Sequence, residues 1–346
     1  MKITITRKET TGSFESNTEE PLLFAGLRQG AGLEYECATG TCGTCRAKLV
    51  SGELDQGWAE APGRLLIKVK RGEFLMCQAR ALSDCDIRVP GKQALFSGGK
   101  GLPDHFSGTL HSITALTADV LKFKVQLQNP MTFQPGQFVV LQSPHVNAYR
   151  AYSMTNSDEA TSELDFVIKK LPDGGFSSWI FEQTEAVSAV KVFGPLGKAV
   201  FEPALKKDIL CIAGGSGIAG MLSILSAGCR DNYFADHKAH VFFGVRTEAD
   251  IFFKEELSEI ARQFPDTIKV TIALSEQHGP VHLPGLADNF VITDGFVHLA
   301  ARETELSKEN TMAYIAGPPP MVDGALKDLI GQAGYAPDQI RFDKFG

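Results

Sequence analysis

The stretch Cys37-Ala-Thr-Gly-Thr-Cys42-Gly-Thr-Cys45 places three cysteines at C-x4-C-x2-C spacing, and a fourth cysteine follows at position 77. This spacing is typical of plant-type [2Fe–2S] clusters, in which thiolates hold two irons. A short loop can deliver three thiolates to one cluster only if its backbone curls, which the intervening glycines and small threonines permit. Such a loop also leaves N–H groups free to donate to cluster sulfurs. We therefore predict cluster ligation by Cys37, Cys42, Cys45 and Cys77.

A structural zinc ion and a set of unligated thiols are the alternatives for this cysteine loop. Zinc sites usually draw paired C-x2-C knuckles or histidine ligands, and neither accompanies the loop. The iron–sulfur cluster is therefore the preferred interpretation. The remaining cysteines, Cys85, Cys211 and Cys229, have no place in the spacing, so we expect ordinary buried thiols there.

The sequence around the cysteines fits a β-grasp ferredoxin domain over residues 1–94. Residues 16–21 combine capping polar residues, an acidic first turn and an early proline, which predicts a helix start. The helix is expected over 22–29, because Gly30 follows it. Residues 95–104 are rich in glycine and polar residues and are interpreted as a linker.

Two further domains are predicted from the apolar patterns. Over residues 105–205, short alternating runs end at Pro, Gly or Asn, which indicates a small antiparallel β-barrel. Over residues 206–346, continuous apolar runs alternate with helical segments, which indicates a parallel sheet with helices on both faces. The fold class is thus α+β and α/β multidomain, and 346 residues are enough for about three domains.

The composition excludes some classes of partner. A formal net charge of −7 argues against nucleic acid, because phosphate binding needs clustered Lys and Arg. No apolar run approaches the roughly 20 residues of a membrane span, and the first residues lack the apolar core of a secretory signal. An odd number of cysteines, seven, is poor support for disulfides. We expect a cytoplasmic protein that does not contact the membrane.

A flavin site is predicted in the barrel from two features. The run 150–156 offers an aromatic wall in Tyr152, hydroxyls in Ser153 and Thr155, and a cation for a pyrophosphate in Arg150. Alone, this run is equally compatible with an edge strand. A glycine-rich turn over 170–178 then opens a helix, whose free N–H groups favour anions such as a pyrophosphate. The two features together are more specific than either.

A dinucleotide site is predicted in the last domain. The strand 209–213 leads into Gly214-Gly215-Ser216-Gly217-Ile-Ala-Gly220, which matches G-x-G-x-x-G, although no acidic residue follows at the usual distance of about 20 residues. The loop 316–321 follows another strand, and its prolines form a rigid lip at the carboxyl edge of the sheet. Arg246 can reach a ribose or a 2′-phosphate, whereas Glu248 and Asp250 should repel an added phosphate, so NADH is preferred over NADPH.

With these motifs in this order, the whole chain resembles the reductase components of bacterial multicomponent oxygenases, in the ferredoxin–NADP reductase superfamily. It is most similar to the reductases of Rieske aromatic-ring dioxygenases such as carbazole and naphthalene dioxygenase. The reductases of toluene and phenol monooxygenases are nearly as similar. The matching stretches are 35–45, 58–62, 77–78, 82–84, 150–156, 176–181, 194–197, 214–219 and 316–323.

The resemblance implies roles for individual residues. FAD contacts are implied for Arg150, Ala151, Tyr152, Ser153, Thr155, Lys169, Gly174, Gly175, Phe176 and Ser177. NADH contacts are implied for Gly214, Gly215, Ser216, Gly217, Arg246, Gly317 and Pro318. Phe345 resembles the aromatic residue that shields the flavin, with a packed terminal strand as the alternative, and Trp58 is expected to pack within the first domain. Gly220 and Ala316 depart from the Pro and Cys of many relatives, and the second departure is expected to slow hydride transfer.

The resemblance also implies an activity, that of an NADH:acceptor oxidoreductase. Hydride passes from NADH to FAD, and single electrons then pass through the [2Fe–2S] cluster to a Rieske aromatic-ring-hydroxylating oxygenase or its ferredoxin. No side chain is expected to act as an acid or base. The alternatives are the reductase of a diiron monooxygenase of the toluene or phenol type, the reductase of a deoxysugar dehydrase, and a redox carrier without catalysis. Electron-transfer encounters are usually small and transient, so we expect a monomer.

Overall fold

The computed structural model describes residues 1–344 except 97–100, 147, 159, 173, 184–187, 280, 282 and 284. Its first domain is a five-stranded mixed sheet with one buried helix. The sheet order is β2-β1-β7-β3-β5, with β1 parallel to β7 and the other neighbours antiparallel. The elements are β1 (Lys2–Arg7), β2 (Thr10–Glu15), α1 (Leu22–Arg28), β3 (Arg46–Ser51), β4 (Leu54–Asp55), β5 (Glu73–Leu75), β6 (Arg80–Ala81) and β7 (Cys85–Arg88). The predicted β-grasp domain is confirmed.

The second domain is an antiparallel barrel of six strands in the order β11-β10-β13-β8-β9-β12. A bridge between Met154 and Phe166 joins the two end strands, which closes the sheet. The elements are β8 (Asp104–Ala115), β9 (Val120–Thr132), β10 (Phe138–Gln142), β11 (Arg150–Ser153), β12 (Ala160–Lys169), α2 (Gly175–Phe181) and β13 (Ser188–Leu196). Alternating apolar side chains fill the inside of the barrel, as the sequence pattern predicts.

The third domain is a six-stranded parallel sheet in the order β17-β16-β15-β14-β18-β19. Its elements are β14 (Asp208–Gly214), α3 (Ile218–Arg230), β15 (Ala239–Val245), α4 (Lys254–Gln263), β16 (Ile268–Leu274), β17 (Phe290–Asp294), α5 (Val297–Ala300), β18 (Thr311–Gly317), α6 (Pro319–Gly331) and β19 (Ile340–Lys344). Separate apolar cores cover its two faces, which explains the continuous apolar runs. Because β14 and β18 are neighbours, the glycine loops that follow them lie side by side. Across the described residues, no helix is both long and apolar enough to span a membrane.

The first domain and the barrel share one apolar core. The ring of Phe24 stacks on that of Phe193, with 4.2 Å between centroids. Beside this stack, the buried carboxylate of Glu20 lies 2.9 Å from Arg28 Nε and 2.9 Å from His105 Nε2 of the barrel. Burial raises the pKa of Glu20, but hydrogen bonds with His105 and Arg28 outweigh that effect and lower it overall. Glu20 is therefore a buried anion that joins the two domains.

The predicted linker over 95–104 overlaps both neighbouring domains at its ends. Leu95 is buried, and its carbonyl accepts a hydrogen bond of 2.8 Å from the N–H of Gly32 in the first domain. At the other end, Asp104 is the first residue of β8. Positions 97–100 of this segment lie outside the described residues.

Candidate functional site

The cysteine loop curls because three of its residues adopt the left-handed conformation. Ala38, Gly40 and Gly43 have φ values of 57°, 91° and 74°. For Ala38 this conformation is strained, which is common at functional sites. The N–H of Thr39 donates to Cys37 Sγ at 3.4 Å, and Gln78 Nε2 donates to Cys77 Sγ at 3.5 Å. The loop thus turns backbone and side-chain donors toward the sulfur atoms.

The four sulfur atoms of this loop and Cys77 form two pairs. Cys37 Sγ lies 3.2 Å from Cys42 Sγ, and Cys45 Sγ lies 3.2 Å from Cys77 Sγ. The hydrogen bond between the two thiols lowers the pKa of Cys37 and raises the pKa of Cys42, so Cys37 is the first thiol of this pair to ionise. Among the described residues, no three His, Cys, Asp or Glu side chains converge on one ion. Two thiol pairs fit a centre with two metals better than a single tetrahedral zinc.

The other cysteines are unlike these four. Cys85 donates to the carbonyl of Ser83 at 3.3 Å, and Cys211 is fully buried in the parallel sheet. Burial raises the pKa of both thiols, and it raises the pKa of Cys229 to about 11. All three therefore stay protonated near neutral pH; Cys85 and Cys211 are buried, as expected, whereas Cys229 is partly exposed.

The strand β11 forms one wall of a cavity of about 650 Å³. Tyr152 lies against Phe176 with 5.3 Å between ring centroids, which makes an aromatic surface. Ser177 shapes the adjoining turn, since its hydroxyl donates to the carbonyl of Gly174 and accepts from the N–H of Leu171. An apolar cleft with a few convergent polar groups is the usual form of a cofactor site.

The two glycine loops of the parallel sheet form the opposite wall. A Cβ on Gly217 would lie 2.2 Å from the carbonyl oxygen of Ala316, so only glycine fits between the loops. Gly215 has a φ of 52°, and its Cβ position faces open space. Gly317 is also crowded, because a Cβ there would lie 2.5 Å from Met321 Cε, although this flexible side chain can move and the backbone beside Gly217 cannot. Backbone N–H groups are therefore open to a ligand, as a pyrophosphate site requires.

The cavity brings together sixteen of the predicted cofactor residues. They are Arg150, Ala151, Tyr152, Ser153, Lys169, Gly174, Gly175, Phe176, Ser177, Gly214, Gly215, Ser216, Gly217, Arg246, Gly317 and Pro318. Thr155 is not part of the lining; its N–H donates to the carbonyl of Asp165 instead. Phe345 lies outside the described residues, so its predicted shielding role stays a prediction.

Several residues at or beside the cavity were not predicted as site residues, among them Thr39, Phe296 and Asp119. Thr39 of the cysteine loop lines the same cavity, which no spacing rule indicates. Phe296 also lines it, and this ring is 60% exposed, an unusual state for an aromatic side chain beside a nucleotide loop. Asp119 follows a turn and carries no motif, yet it binds two predicted site residues. The adjacent Gly295 could have indicated Phe296, because a glycine that follows a strand marks a loop, and Gly295 directly follows the end of β17.

Asp119 joins the barrel to the parallel-sheet domain through charge. Its Oδ2 lies 3.2 Å from Lys169 Nζ and 3.1 Å from Arg246 Nη2. Arg246 also contacts Asp250 Oδ1 at 2.9 Å. The positive charge of Arg246 is therefore already balanced by two carboxylates, which leaves little attraction for an additional phosphate group.

Trp58 of the first domain contacts Arg150 of the barrel. The guanidinium carbon of Arg150 lies 5.6 Å from the centroid of the Trp58 ring. Arg150 also donates from Nη1 to the carbonyl of Tyr149 at 2.9 Å. Among the described residues, no carboxylate forms an ion pair with Arg150, so its charge remains available to an anion. The tryptophan thus orients a predicted cofactor-binding cation, besides packing on its own domain.

We expect Trp58→Ala to weaken FAD binding by about three- to tenfold, because a cation–π contact of about 1 kcal/mol holds the arginine in place. Trp58→Phe should restore most of the affinity, since a phenyl ring keeps the aromatic face. Flavin fluorescence during titration with FAD measures the dissociation constant, and cluster absorption checks that the first domain remains intact. Equal affinities for all three proteins would contradict this role.

Comparisons with known families divide the chain in the same order as the fold. Residues 5–82 match the family described as a 2Fe-2S iron-sulfur cluster binding domain. Residues 107–201 match an oxidoreductase FAD-binding domain, and residues 211–327 match an oxidoreductase NAD-binding domain. The three matched domains supply the cofactor types that the motifs predict: [2Fe–2S], FAD and NADH.

Characterised relatives are similar over nearly the whole chain. The ferredoxin–NAD(P)+ reductase CarAd of Metapseudomonas resinovorans is 32% identical, over 94% of both chains. The ferredoxin–NAD+ reductase component of the alkene monooxygenase system of Xanthobacter autotrophicus is 31% identical, over 96% of this chain and 98% of its own. A solved ferredoxin reductase in carbazole 1,9a-dioxygenase superposes with a TM-score of 0.82 at 31% identity, covering 100% of this chain and 99% of that one.

Proposed function

This chain belongs to the family of ferredoxin–NAD(P)+ reductases that carry 2Fe–2S, FAD-binding and NAD-binding domains, and from that premise we propose that it is the NADH-dependent reductase component of a multicomponent oxygenase. One observation carries the proposal. The cysteine loop, the barrel strand β11 and both glycine loops of the parallel sheet line a single cavity. Three redox sites that meet in one cleft fit a protein that passes electrons from a nucleotide to an outside acceptor.

The described residues fit the three groups. The four thiols form two pairs, the aromatic and glycine-rich wall accepts a flat ring with a pyrophosphate, and the two glycine loops approach so closely at Gly217 that a side chain there would clash. When bound, FAD accepts hydride from NADH and the [2Fe–2S] cluster passes on single electrons. We assign cluster ligation to Cys37, Cys42, Cys45 and Cys77.

The side chains and loops of the chain position and shield these groups. Arg150, with Trp58 behind it, binds pyrophosphate oxygens, and Tyr152 provides a flat wall. The backbone of 214–217 holds the dinucleotide, while the lip at Gly317 and Pro318 orients the nicotinamide. The mostly apolar lining excludes water, which protects hydride transfer from side reactions. No side chain needs to act as an acid or base.

The proposed acceptor is a Rieske aromatic-ring oxygenase or its small ferredoxin. The support is the solved reductase in carbazole 1,9a-dioxygenase, which covers the whole chain. A second candidate, a monooxygenase of the diiron type, is favoured by the similar identity to the alkene monooxygenase reductase component. NADH is the proposed donor, because Asp119 and Asp250 already neutralise Arg246.

We also propose that the protein works as a monomer in the cytoplasm. Electron-transfer encounters are usually small and transient, so a second copy is not required. None of the seven cysteines, all of which lie within the described residues, forms a disulfide in the structure, as is usual in compartments where disulfides are rare.

Anaerobic titration of the protein loaded with FAD and iron–sulfur cluster tests this function. NADH should bleach the flavin absorption and reduce the cluster within the same turnover, and NADPH should act at least about tenfold more weakly, in line with the charge repulsion of a further phosphate. Product formation is then measured with a purified Rieske ferredoxin and its dioxygenase, and separately with a diiron hydroxylase. Coupling to the first supports the dioxygenase assignment, and coupling only to the second moves the protein to the monooxygenases.

A further inference from the structure

The segment 62–71 of the first domain is unusually basic. Its sequence, Pro62-Gly-Arg-Leu-Leu-Ile-Lys-Val-Lys-Arg71, has four cations and no carboxylate, although the whole chain carries a formal charge of −7. We call it the basic segment. It forms two short 3-10 turns, 62–66 and 69–71, that pack on β5. A local charge opposite in sign to that of the chain points to a specific electrostatic partner.

The basic segment lies directly over the cysteine loop. The N–H of Gly63 donates to the carbonyl of Gly40 at 2.9 Å. On Gly43, an added Cβ would approach Leu66 Cβ to 3.0 Å. Both glycines stand between the proposed cluster ligands, while Thr39 of the same loop lines the cofactor cavity. One part of the loop therefore touches the cavity, and another touches the basic segment.

The basic segment exposes two neighbouring leucines. Leu65 is 90% exposed and Leu66 is 65% exposed. A single exposed leucine needs no explanation, but an adjacent pair beside a redox loop leaves a concentrated apolar surface in water. Protein interfaces commonly combine such an apolar centre with a polar rim.

Cations surround these leucines. Lys68, Lys70 and Arg71 are exposed, and Arg46 and Lys48 add two further exposed cations from β3, which pairs with β5. Within the described parts of the chain, none of these five side chains forms an ion pair. The nearby carboxylate of Glu73 accepts the backbone N–H of Lys68 at 2.7 Å. The cations therefore face solvent and remain free to attract an anionic surface.

We propose that the basic segment, together with Arg46 and Lys48, is the docking surface for the protein electron acceptor, and that this acceptor presents an acidic face with an apolar centre. The inference rests on the proposed function, because it needs an electron that leaves through the cluster. Charge steers the encounter and the exposed leucines bury in the complex, which places the acceptor against the outer side of the cysteine loop.

The sign of the salt dependence is the first test. In this test, steady-state reduction of acidic cytochrome b5 by the holoprotein and NADH is measured at increasing NaCl, with basic cytochrome c as the comparison. Docking at the basic segment predicts that kcat/KM for cytochrome b5 falls as salt rises. Docking at an acidic face of this chain, whose formal net charge is −7, predicts the reverse, because salt would then screen a repulsion.

Variants of the surface give the second test. We expect Lys70→Glu/Arg71→Glu to lower kcat/KM for cytochrome b5 about tenfold at low salt, with the difference fading at high salt. Leu65→Ala should lower it about threefold at every salt concentration, and its stability should not change because the side chain is exposed. The matched control is Lys92→Glu/Lys327→Glu, which makes the same change in net charge at exposed positions elsewhere.

The rate of flavin reduction by NADH separates the two proposals. Stopped-flow bleaching of the flavin should be equal in all of these variants; a protein that fails this step contradicts the proposed function itself. If the surface variants reduce flavin and cluster normally and pass electrons to the acceptor as fast as the control variant does, the proposed docking surface is wrong and the proposed function still holds. Sedimentation of the holoprotein with phosphatidylserine vesicles, abolished in Lys70→Glu/Arg71→Glu, would also overturn it by showing that the surface binds lipid.

Discussion

Cys42→Ser is expected to abolish electron delivery to protein acceptors while leaving the flavin reaction intact. Removing an outer partner of a metal ligand typically costs 10–100-fold in metal affinity, so removing one proposed ligand should lower cytochrome c reduction by more than about 100-fold. The reaction of NADH with ferricyanide, which can take electrons directly from the flavin, should stay within about twofold, since the cavity walls at β11 and the glycine loops are untouched.

Cys85→Ser is the matched control for this prediction. Cys85 is buried in the same domain and its thiol donates to the carbonyls of Ser83 and Glu53, a role that a hydroxyl can keep. Its cluster absorption and cytochrome c activity should equal those of the parent protein. If the Cys42→Ser protein keeps the full absorption spectrum of the cluster, the assignment of Cys42 as a ligand is wrong.

Gly217→Ala is expected to disable the nucleotide site. The new methyl group would lie 2.2 Å from the carbonyl oxygen of Ala316 and 2.8 Å from the backbone nitrogen of Gly317, and neither backbone atom can swing away like a side chain. The two loops must separate, and overpacking of this kind costs about 1–3 kcal/mol. If that cost falls on NADH binding, kcat/KM for flavin reduction drops about 5- to 150-fold.

The control for the glycine loop is Gly331→Ala, where an added Cβ meets nothing within 4 Å. FAD content and cluster absorption are expected to stay normal in both proteins, because the atoms that a methyl group at position 217 would meet belong to Ala316 and Gly317 of the parallel sheet. Stopped-flow flavin reduction over a range of NADH concentrations measures the effect. An unchanged kcat/KM in Gly217→Ala would show that the loops do not hold the dinucleotide.

Local sequence signals predicted the fold and about half of the residues that line the cavity. Three signals are each contained in one short loop: the cysteine spacing, the glycine run after β14 and the turn before α2. In each case the conformation of that loop alone explains why those residue types are needed. Apolar runs on both faces likewise indicated the parallel sheet, because helices cover it on both sides. In these cases local propensity and the final structure agree.

The missed features depend on contacts between residues far apart in the chain. Trp58 reads as a packing residue in its own domain, and only the docked barrel places Arg150 over its ring. Asp119 belongs to no motif, since its two cationic partners come from β12 and from the residue after β15. Thr155 differs from these residues: it lies in a motif, but its backbone pairs with Asp165 and it does not line the cavity, so its place beside FAD stays a prediction. No sequence periodicity contains this information.

The stack of Phe24 on Phe193 has a kinetic consequence. Because this contact and a continuous chain hold the first domain against the barrel, their effective concentration reaches the millimolar range typical of tethered modules. Transfer between the flavin and cluster sites is then a first-order event, whose rate does not change when the protein is diluted. The encounters with NADH and with the external acceptor are the second-order steps, so a fall in the abundance of the acceptor slows the flow of electrons without changing the transfer inside the protein.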